Sequence, residues 1–193
     1  MKNAHRPSRS LYVDADGLIS AATQIPSPNC DQRPDGTDIS LLVIHNISLP
    51  PGEFGGRGIV ELFTNRLDVS AHPYYATIGA IKVSAHFLIR RDGELVQFVR
   101  CPLRAWHAGT SSWRGREQCN DFALGVELEG TDTLPYESIQ YAVLAELTHA
   151  LRRRYPIVDI AGHSDVALGR KTDPGPAFDW NRYQTMIGPV VQG

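Results

Sequence analysis

The stretch GHSDVALGRKTDPGP, residues 162–176, gathers His163, Lys171 and Asp173 into one short segment punctuated by glycine and proline. Pro174 biases the backbone of Asp173 toward extended geometry, and Pro176 stiffens the chain just beyond it, so the carboxylate is held rigidly. If residues 171–173 are extended, Lys171 and Asp173 leave the chain on the same side. The carboxylate could then ligate a cation while the ammonium reaches an oxygen that turns negative during attack on an amide carbonyl. A surface lysine beside an aspartate that caps a turn is the plainer alternative. His45 closes the apolar run LLVIHN, residues 41–46. Two imidazoles and one carboxylate supply the three N/O ligands of a catalytic zinc and leave a fourth position for water. The ligand set His45, His163 and Asp173 comes from distant parts of the chain, however. Spacing alone favours the simpler view that each histidine is a hydrogen-bonded residue at a strand end.

A proton carrier is also available. In FALGVELEG, residues 122–130, alternation sends Phe122, Leu124, Val126 and Leu128 to one face and Ala123, Gly125, Glu127 and Glu129 to the other. Glu127 thus stands beside small residues with room above it. A carboxylate near a metal-bound water can take its proton and pass it to a leaving amine. Glu129 reads as an outward-facing, solvated residue, although the pattern chooses only weakly between the two. Trp106 and His107 lie in RAWHAG, read as a loop. The indole offers a flat apolar face to a sugar ring or peptide group, or equally anchors its own loop. With Asn46, which comes directly after His45, these two are the candidate substrate contacts. His86 reads as a packed histidine, and His5, His72 and His149 have no supporting context. Cys30, Cys101 and Cys119 are widely spaced, form no CxxC pair and read as small, partly buried reduced thiols rather than nucleophiles. Asp165 could orient His163, but reads more simply as part of a helix cap.

Elements able to position these side chains emerge from hydrophobic period and turn chemistry. Residues 41–46 form a near-continuous apolar strand covered on both faces. Residues 48–58 are loop, and 59–65 a short helix. Residues 83–89 and 94–99 flank Arg90-Arg91-Asp92-Gly93, a hairpin turn in which Asp-Gly supplies positive φ. Residues 136–155 are the long helix, with Ile139, Val143, Leu144, Leu147, Ala150 and Leu151 on the buried stripe, three arginines in the last turn and Pro156 as its stop. Residues 156–163 deliver His163, and 178–186 form a C-terminal helix. This order implies an α/β (α+β) domain with a mixed central sheet flanked by helices, the strand order being unreadable.

With 193 residues the chain suits a single domain over 1–193, in which 1–10 form a loose tail. Lys and Arg number 19 against 21 Asp and Glu, so no positive excess points to nucleic acid. The N-terminus is basic but lacks an apolar signal core, and no run is long enough to span a membrane. A cytoplasmic monomer with no membrane or nucleic-acid partner is the expectation.

Five stretches carry a resemblance: LLVIHNISLPPGEFGG, AHPYYATI, VSAHFLIRRDGELVQFV, RAWHAGTSSWRGREQCNDFALGVELEGTD and GHSDVALGRKTDPGPAFDW. Together they resemble type 2 N-acetylmuramoyl-L-alanine amidases, in the cytosolic branch that acts on 1,6-anhydromuropeptides, over about residues 25–180. The resemblance implies the fold shared with peptidoglycan recognition proteins, a sheet with helices on both sides and zinc in a surface groove. It carries the Zn2+ ligands onto His45, His163 and Asp173, the catalytic glutamate onto Glu127 and the catalytic lysine onto Lys171. It implies hydrolysis of the amide between anhydro-N-acetylmuramic acid and L-alanine of the stem peptide, in cell-wall recycling with an effect on β-lactamase induction. Asp173 stands where recognition-protein amidases place cysteine, which favours this branch. Lys82 and Gln118 depart from the arginines of enterobacterial members, so binding of stem-peptide carboxylates is expected to differ. Two rivals remain: a broader amidase of intact peptidoglycan, and a non-catalytic muropeptide-binding module. The second is disfavoured because all five chemical residues are retained.

Overall fold

The structure is a computed structural model describing residues 10–189; His5 and, except for Ser10, the expected tail lie outside the described residues. In chain order the elements are β1 (Thr23–Gln24), β2 (Cys30–Gln32), β3 (Leu41–Ile47), α1 (Gly58–Phe63), α2 (Pro73–Ile78), β4 (Phe87–Ile89), β5 (Leu95–Gln97), β6 (Leu103–Ala105), β7 (Ser112–Trp113), β8 (Arg116–Glu117), β9 (Ala123–Glu129), α3 (Ser138–Arg154), β10 (Asp159–Gly162), α4 (His163–Val166) and α5 (Trp180–Ile187).

The apolar runs of β3 and β9 form the centre because only a strand covered on both faces can use such sequences. They pair in parallel with His45 opposite Glu127. Beyond β9 lies parallel β4, with Leu88 opposite Glu127, and beyond β3 lies parallel β10. Antiparallel β5 and then β1 complete the order β1-β5-β4-β9-β3-β10, a mixed sheet as expected. The long helix α3 carries the chain from β9 across to β10, the crossover that parallel strands require.

Helices cover both faces. On one, Leu42, Ile44, Leu124, Val126 and Leu128 pack against Leu144, Leu147 and Leu151 of α3 and Tyr183 of α5. On the other, Ile59, Leu62 and Phe63 of α1 and Tyr75 of α2 pack near Leu88, Val96 and Phe98. A smaller cluster joins Leu41, Val43, Ala123 and Ala161 to Ala108 and Val166. Strand parity turns His45 and Glu127 to this second face, in the later part of their strands.

Several local expectations change. Phe122 does not share a face with Leu124, Val126 and Leu128. It precedes β9 with ψ of 6°, outside extended geometry, so the two-residue alternation begins after it, and its ring joins the cluster on the opposite face. Ile139 is 46% exposed rather than buried. The inward position belongs to Gln140, whose amide donates to the carbonyls of Ile89 and Glu129 while its Oε1 accepts the Glu137 N–H and caps the helix. The β4–β5 hairpin has a longer loop than read, closed by Arg90 N–H donating to Glu94 O at 2.9 Å, and of the Asp-Gly pair only Gly93 takes positive φ. Arg104 and Ala105 belong to β6, paired with β2, so the loop begins only at Trp106.

Candidate active site

Three parallel strands deliver the chemistry to one place. His45 and Glu127 are cross-strand neighbours on β3 and β9, and β10 pairs so that Gly162 lies opposite Ile44. His163 therefore begins α4 immediately beside His45. Clefts at the carboxyl ends of parallel strands are where α/β sheets place their ligands. Asp173 arrives on a turn tied at several points. Ser164 N–H donates to its carbonyl at 2.8 Å, Gly175 N–H to Thr172 O, and the Tyr136 hydroxyl and Asn46 amide both donate to Pro174 O. The Asp173–Pro174 peptide bond is cis.

The potential ligand atoms of His45, His163 and Asp173 all lie within 4.8 Å of one another, a group that could hold a metal ion. His45 Nδ1 is 3.0 Å from His163 Nδ1 and 3.3 Å from Asp173 Oδ2, and His163 Nδ1 is 3.0 Å from that same oxygen. Hydrogen count tests the fit. His163 Nε2 faces the Ala108 carbonyl at 3.2 Å, and a carbonyl only accepts, so Nε2 bears the proton and Nδ1 is bare. Bare nitrogen and carboxylate oxygen then converge with few hydrogens to share, and a cation resolves such a cluster. The N, N, O set suits a borderline metal such as zinc.

Electrostatics is governed by burial. Burial pulls the His45 imidazole down to about 4, against the opposing pull of the adjacent Asp173 carboxylate, so the ring is neutral and able to ligate at neutral pH. Burial works to raise the Asp173 carboxyl, but the two imidazoles that face it, His163 and His45, outweigh burial and hold the carboxyl well below its usual range. Glu127 is the opposite case. It is 8% exposed, its Oε2 has no partner among the described residues, and burial followed by the neighbouring Asp173 pushes its carboxyl well above the ordinary value, with Lys171 pulling the other way. A buried carboxyl with raised affinity for protons and a free oxygen is equipped for proton transfer. Lys171 itself is exposed, and its charge acts on both Glu127 and His45.

Other expected residues have different surroundings. Asn46 donates to Asp132 at 2.8 Å and to Pro174 O at 3.1 Å, tying the end of β3 to the turn that carries Asp173. Trp106 is half-buried beside Asp31, with its backbone held by Asn29 and Ser84. His107 lies within reach of the cluster itself, its Nδ1 3.0 Å from His45 Nε2. His86 is fully buried, accepting from Gly125 N–H and facing the Leu103 carbonyl, a packed histidine as read. The cysteines are free, and burial pushes the Cys101 thiol up to about 12, against a nucleophilic role. Asp165 accepts the Gly162 N–H at 2.7 Å and so caps α4.

Glu129 overturns an expectation. It is 2% exposed rather than solvated, and accepts from Gly55 N–H, Arg91 N–H and Arg90 Nη1. The loop before α1 and the turn after β4 fold over it, which the alternation of β9 could not reveal. The sequence reading also missed Asn120 and the Ala108 carbonyl as supports of the site. One signal was present: Gly125 inside a strand marks a close approach. A Cβ there would meet the His107 ring at 2.6 Å.

Two imidazoles, a carboxylate and a separate proton-avid carboxyl on one sheet face define a hydrolase-type site on an α/β frame. The chain belongs to the N-acetylmuramoyl-L-alanine amidase family, whose profile matches residues 35–176. It is 57% identical over 176 residues to the 1,6-anhydro-N-acetylmuramyl-L-alanine amidase AmpD of Citrobacter freundii, covering 90% of this chain and 94% of that one. A crystal structure of a selenomethionine AmpD derivative superposes with a TM-score of 0.88 at 57% identity, covering 90% of this chain and 98% of that one. The Escherichia coli amidase AmiD, solved with anhydro-N-acetylmuramic acid-L-Ala-D-γ-Glu-L-Lys, superposes with a TM-score of 0.57 at 26% identity, over 94% of this chain and 67% of that one.

Proposed function

We propose that this single-domain chain is a zinc-dependent amidase that cleaves the amide between the lactyl group of 1,6-anhydro-N-acetylmuramic acid and L-alanine of the stem peptide. The carrying observation is the convergence of His45, His163 and Asp173 beside a buried Glu127 whose Oε2 is unpartnered. The substrate class is supported by the identity to AmpD over nearly the whole length of both chains. Among the described residues no helix is long and apolar enough to cross a membrane. Action in the cytoplasm, within cell-wall recycling and with an influence on β-lactamase induction, belongs to this reading.

His45, His163 and Asp173 would hold the zinc. When bound, zinc would polarise the scissile carbonyl and lower the pKa of an attacking water toward about 7. Glu127 would take the water's proton on Oε2 and return it to the alanine amine as the C–N bond breaks. Burial aids this because the carboxyl binds a proton more firmly than an ordinary glutamate does. Lys171 would stabilise the negative oxygen formed on the lactyl carbonyl. The half-buried Trp106 would offer its indole face to the sugar ring. Asn46, with its amide N–H groups engaged by Asp132 and Pro174, would present Oδ1 to a substrate N–H.

The test is incubation of the purified protein with soluble anhydro-N-acetylmuramyl peptides and with insoluble sacculi, each with and without chelator, reading released peptide by mass spectrometry. Chelator-sensitive release from the soluble substrate is expected, with Asp173→Ala devoid of both zinc and activity. Preference for sacculi would point to a broader peptidoglycan amidase, and tight muropeptide binding without metal or turnover to a binding module.

A further inference from the structure

We infer that the His107–Ala108 dipeptide, clamped by Asn120, is a positioning element that turns both imidazoles of the site with Nδ1 forward. The inference rests on the metal-site reading of His45, His163 and Asp173. Asn120 Oδ1 accepts the N–H of His107 at 3.2 Å and of Ala108 at 2.9 Å, which fixes the dipeptide against the sheet. From it two groups reach two different histidines. The Ala108 carbonyl lies 3.2 Å from His163 Nε2, and His107 Nδ1 lies 3.0 Å from His45 Nε2. Arg170 also donates to the Ala108 carbonyl at 2.6 Å, holding its oxygen in place.

The chemistry of each contact determines a tautomer. A carbonyl accepts only, so His163 carries its proton on Nε2 and directs a bare Nδ1 at the cluster. The same orientation of His45 requires His107 Nδ1 to accept, with the His107 proton on Nε2. That Nε2 is buried and has no partner among the described residues. An imidazole placed only to fill space gains nothing from an orphaned nitrogen, whereas one placed to receive the His45 proton must tolerate it. Gly125 belongs to the same device, since any Cβ at that position would meet the His107 ring at 2.6 Å and displace it from His45. His86 accepts the Gly125 N–H from behind and packs its own ring 5.7 Å from that of His107. Outer partners of this kind fix the ligand's tautomer and raise its basicity toward a cation.

The experiment uses the full chain, stripped and reloaded with Zn2+, with zinc affinity read by chelator competition and histidine tautomers by 15N NMR. His107→Phe, which keeps the ring volume but cannot accept, should weaken zinc binding about 10–100-fold. His107→Asn, whose Oδ1 falls near the former Nδ1, should restore most of that loss, whereas His107→Gln, which reaches toward the Nε2 position, should not. Gly125→Ala should weaken zinc binding with His107 intact. In metal-free wild type at neutral pH His45 should be protonated at Nε2, and His107→Phe should lose that signature. Should the phenylalanine variant fail to fold, the asparagine and glutamine variants still separate hydrogen bonding from packing. Unchanged zinc affinity in His107→Phe, or equal losses in the asparagine and glutamine variants, would overturn the inference while leaving the metal site standing. A wild-type protein that binds no zinc would overturn the site reading and this inference together.

Discussion

Glu127 and Glu129 sit two positions apart on the same face of β9, and both are almost wholly buried. Glu129 is tied down: its oxygens accept from Gly55 N–H at 2.7 Å, Arg91 N–H at 3.1 Å and Arg90 Nη1 at 3.2 Å. Glu127 keeps Oε2 unpartnered, and burial holds its carboxyl well above the normal range. A buried carboxylate normally needs partners because desolvation is costly. Glu129 obeys that rule and serves as a peg for two loops. Glu127 breaks it, and the breach lies beside the candidate ligands. Within this fold, satisfaction of hydrogen bonds separates the tethering carboxyl from the proposed proton carrier more sharply than burial does.

The contrast can be broken by mutation. Glu127→Gln should leave zinc content and melting temperature near wild type but lower kcat up to about 10⁴-fold, the upper range for loss of a general acid/base; steady-state kinetics alongside metal analysis would decide. Should this variant unfold while retaining turnover per folded molecule, the assignment of roles is reversed. Glu129→Ala should do the converse, leaving Arg90 and two backbone N–H groups without their acceptor. A cost of about 3 kcal/mol in urea denaturation is expected, at the low end for breaking a buried pair because Arg90 retains Glu94. Turnover per zinc-loaded molecule should stay close to wild type. Lys171→Ala probes the exposed member of the site: zinc stays bound, stability is unchanged, and kcat falls about 10²-fold, the range for losing one group that stabilises an oxyanion. A change confined to KM would assign the lysine to substrate binding instead.

Legibility in the sequence tracks the range of the interactions. The near-continuous apolar run ending at His45 and the period-two alternation through Glu127 are both local patterns, and both residues lie on the expected strands. The rigid Asp173 turn was marked by its two prolines. Convergence of these pieces depends on the order β9-β3-β10, which is set by crossover connections and written in no local pattern. The fate of Glu129 was hidden for a related reason, since the loop before α1 and the turn after β4 decide whether that side chain meets water. His107 could be suspected as a neighbour of the site, yet its contact with His45 depends on the space above Gly125. Phe122 shows a limit of alternation itself, because a residue just outside a strand does not share its parity.

A smaller effect should sharpen the comparison through pH. His86 is buried and partnered at both ring nitrogens, like Glu129, and burial together with the repulsion of Arg33 pulls its imidazole down to about 3. The folded state therefore keeps His86 neutral, while the unfolded chain takes up its proton once pH drops below about 6.5. Stability from this residue is full above that pH and is lost as pH falls from about 6.5 toward 3, by roughly 1.4 kcal/mol per pH unit. Glu127 acts with the opposite sign, because a carboxyl with raised affinity binds its proton more readily when folded. The net slope for wild type mixes these two with the shifted His45 and Asp173, so the informative quantity is a difference. His86→Asn should be less stable than wild type at neutral pH, and its stability should fall less steeply between pH 6 and 4, by about one proton's slope, in metal-free protein monitored by urea denaturation. Parallel curves would mean that His86 accepts a proton within the fold, and that a partnered buried group here can also titrate.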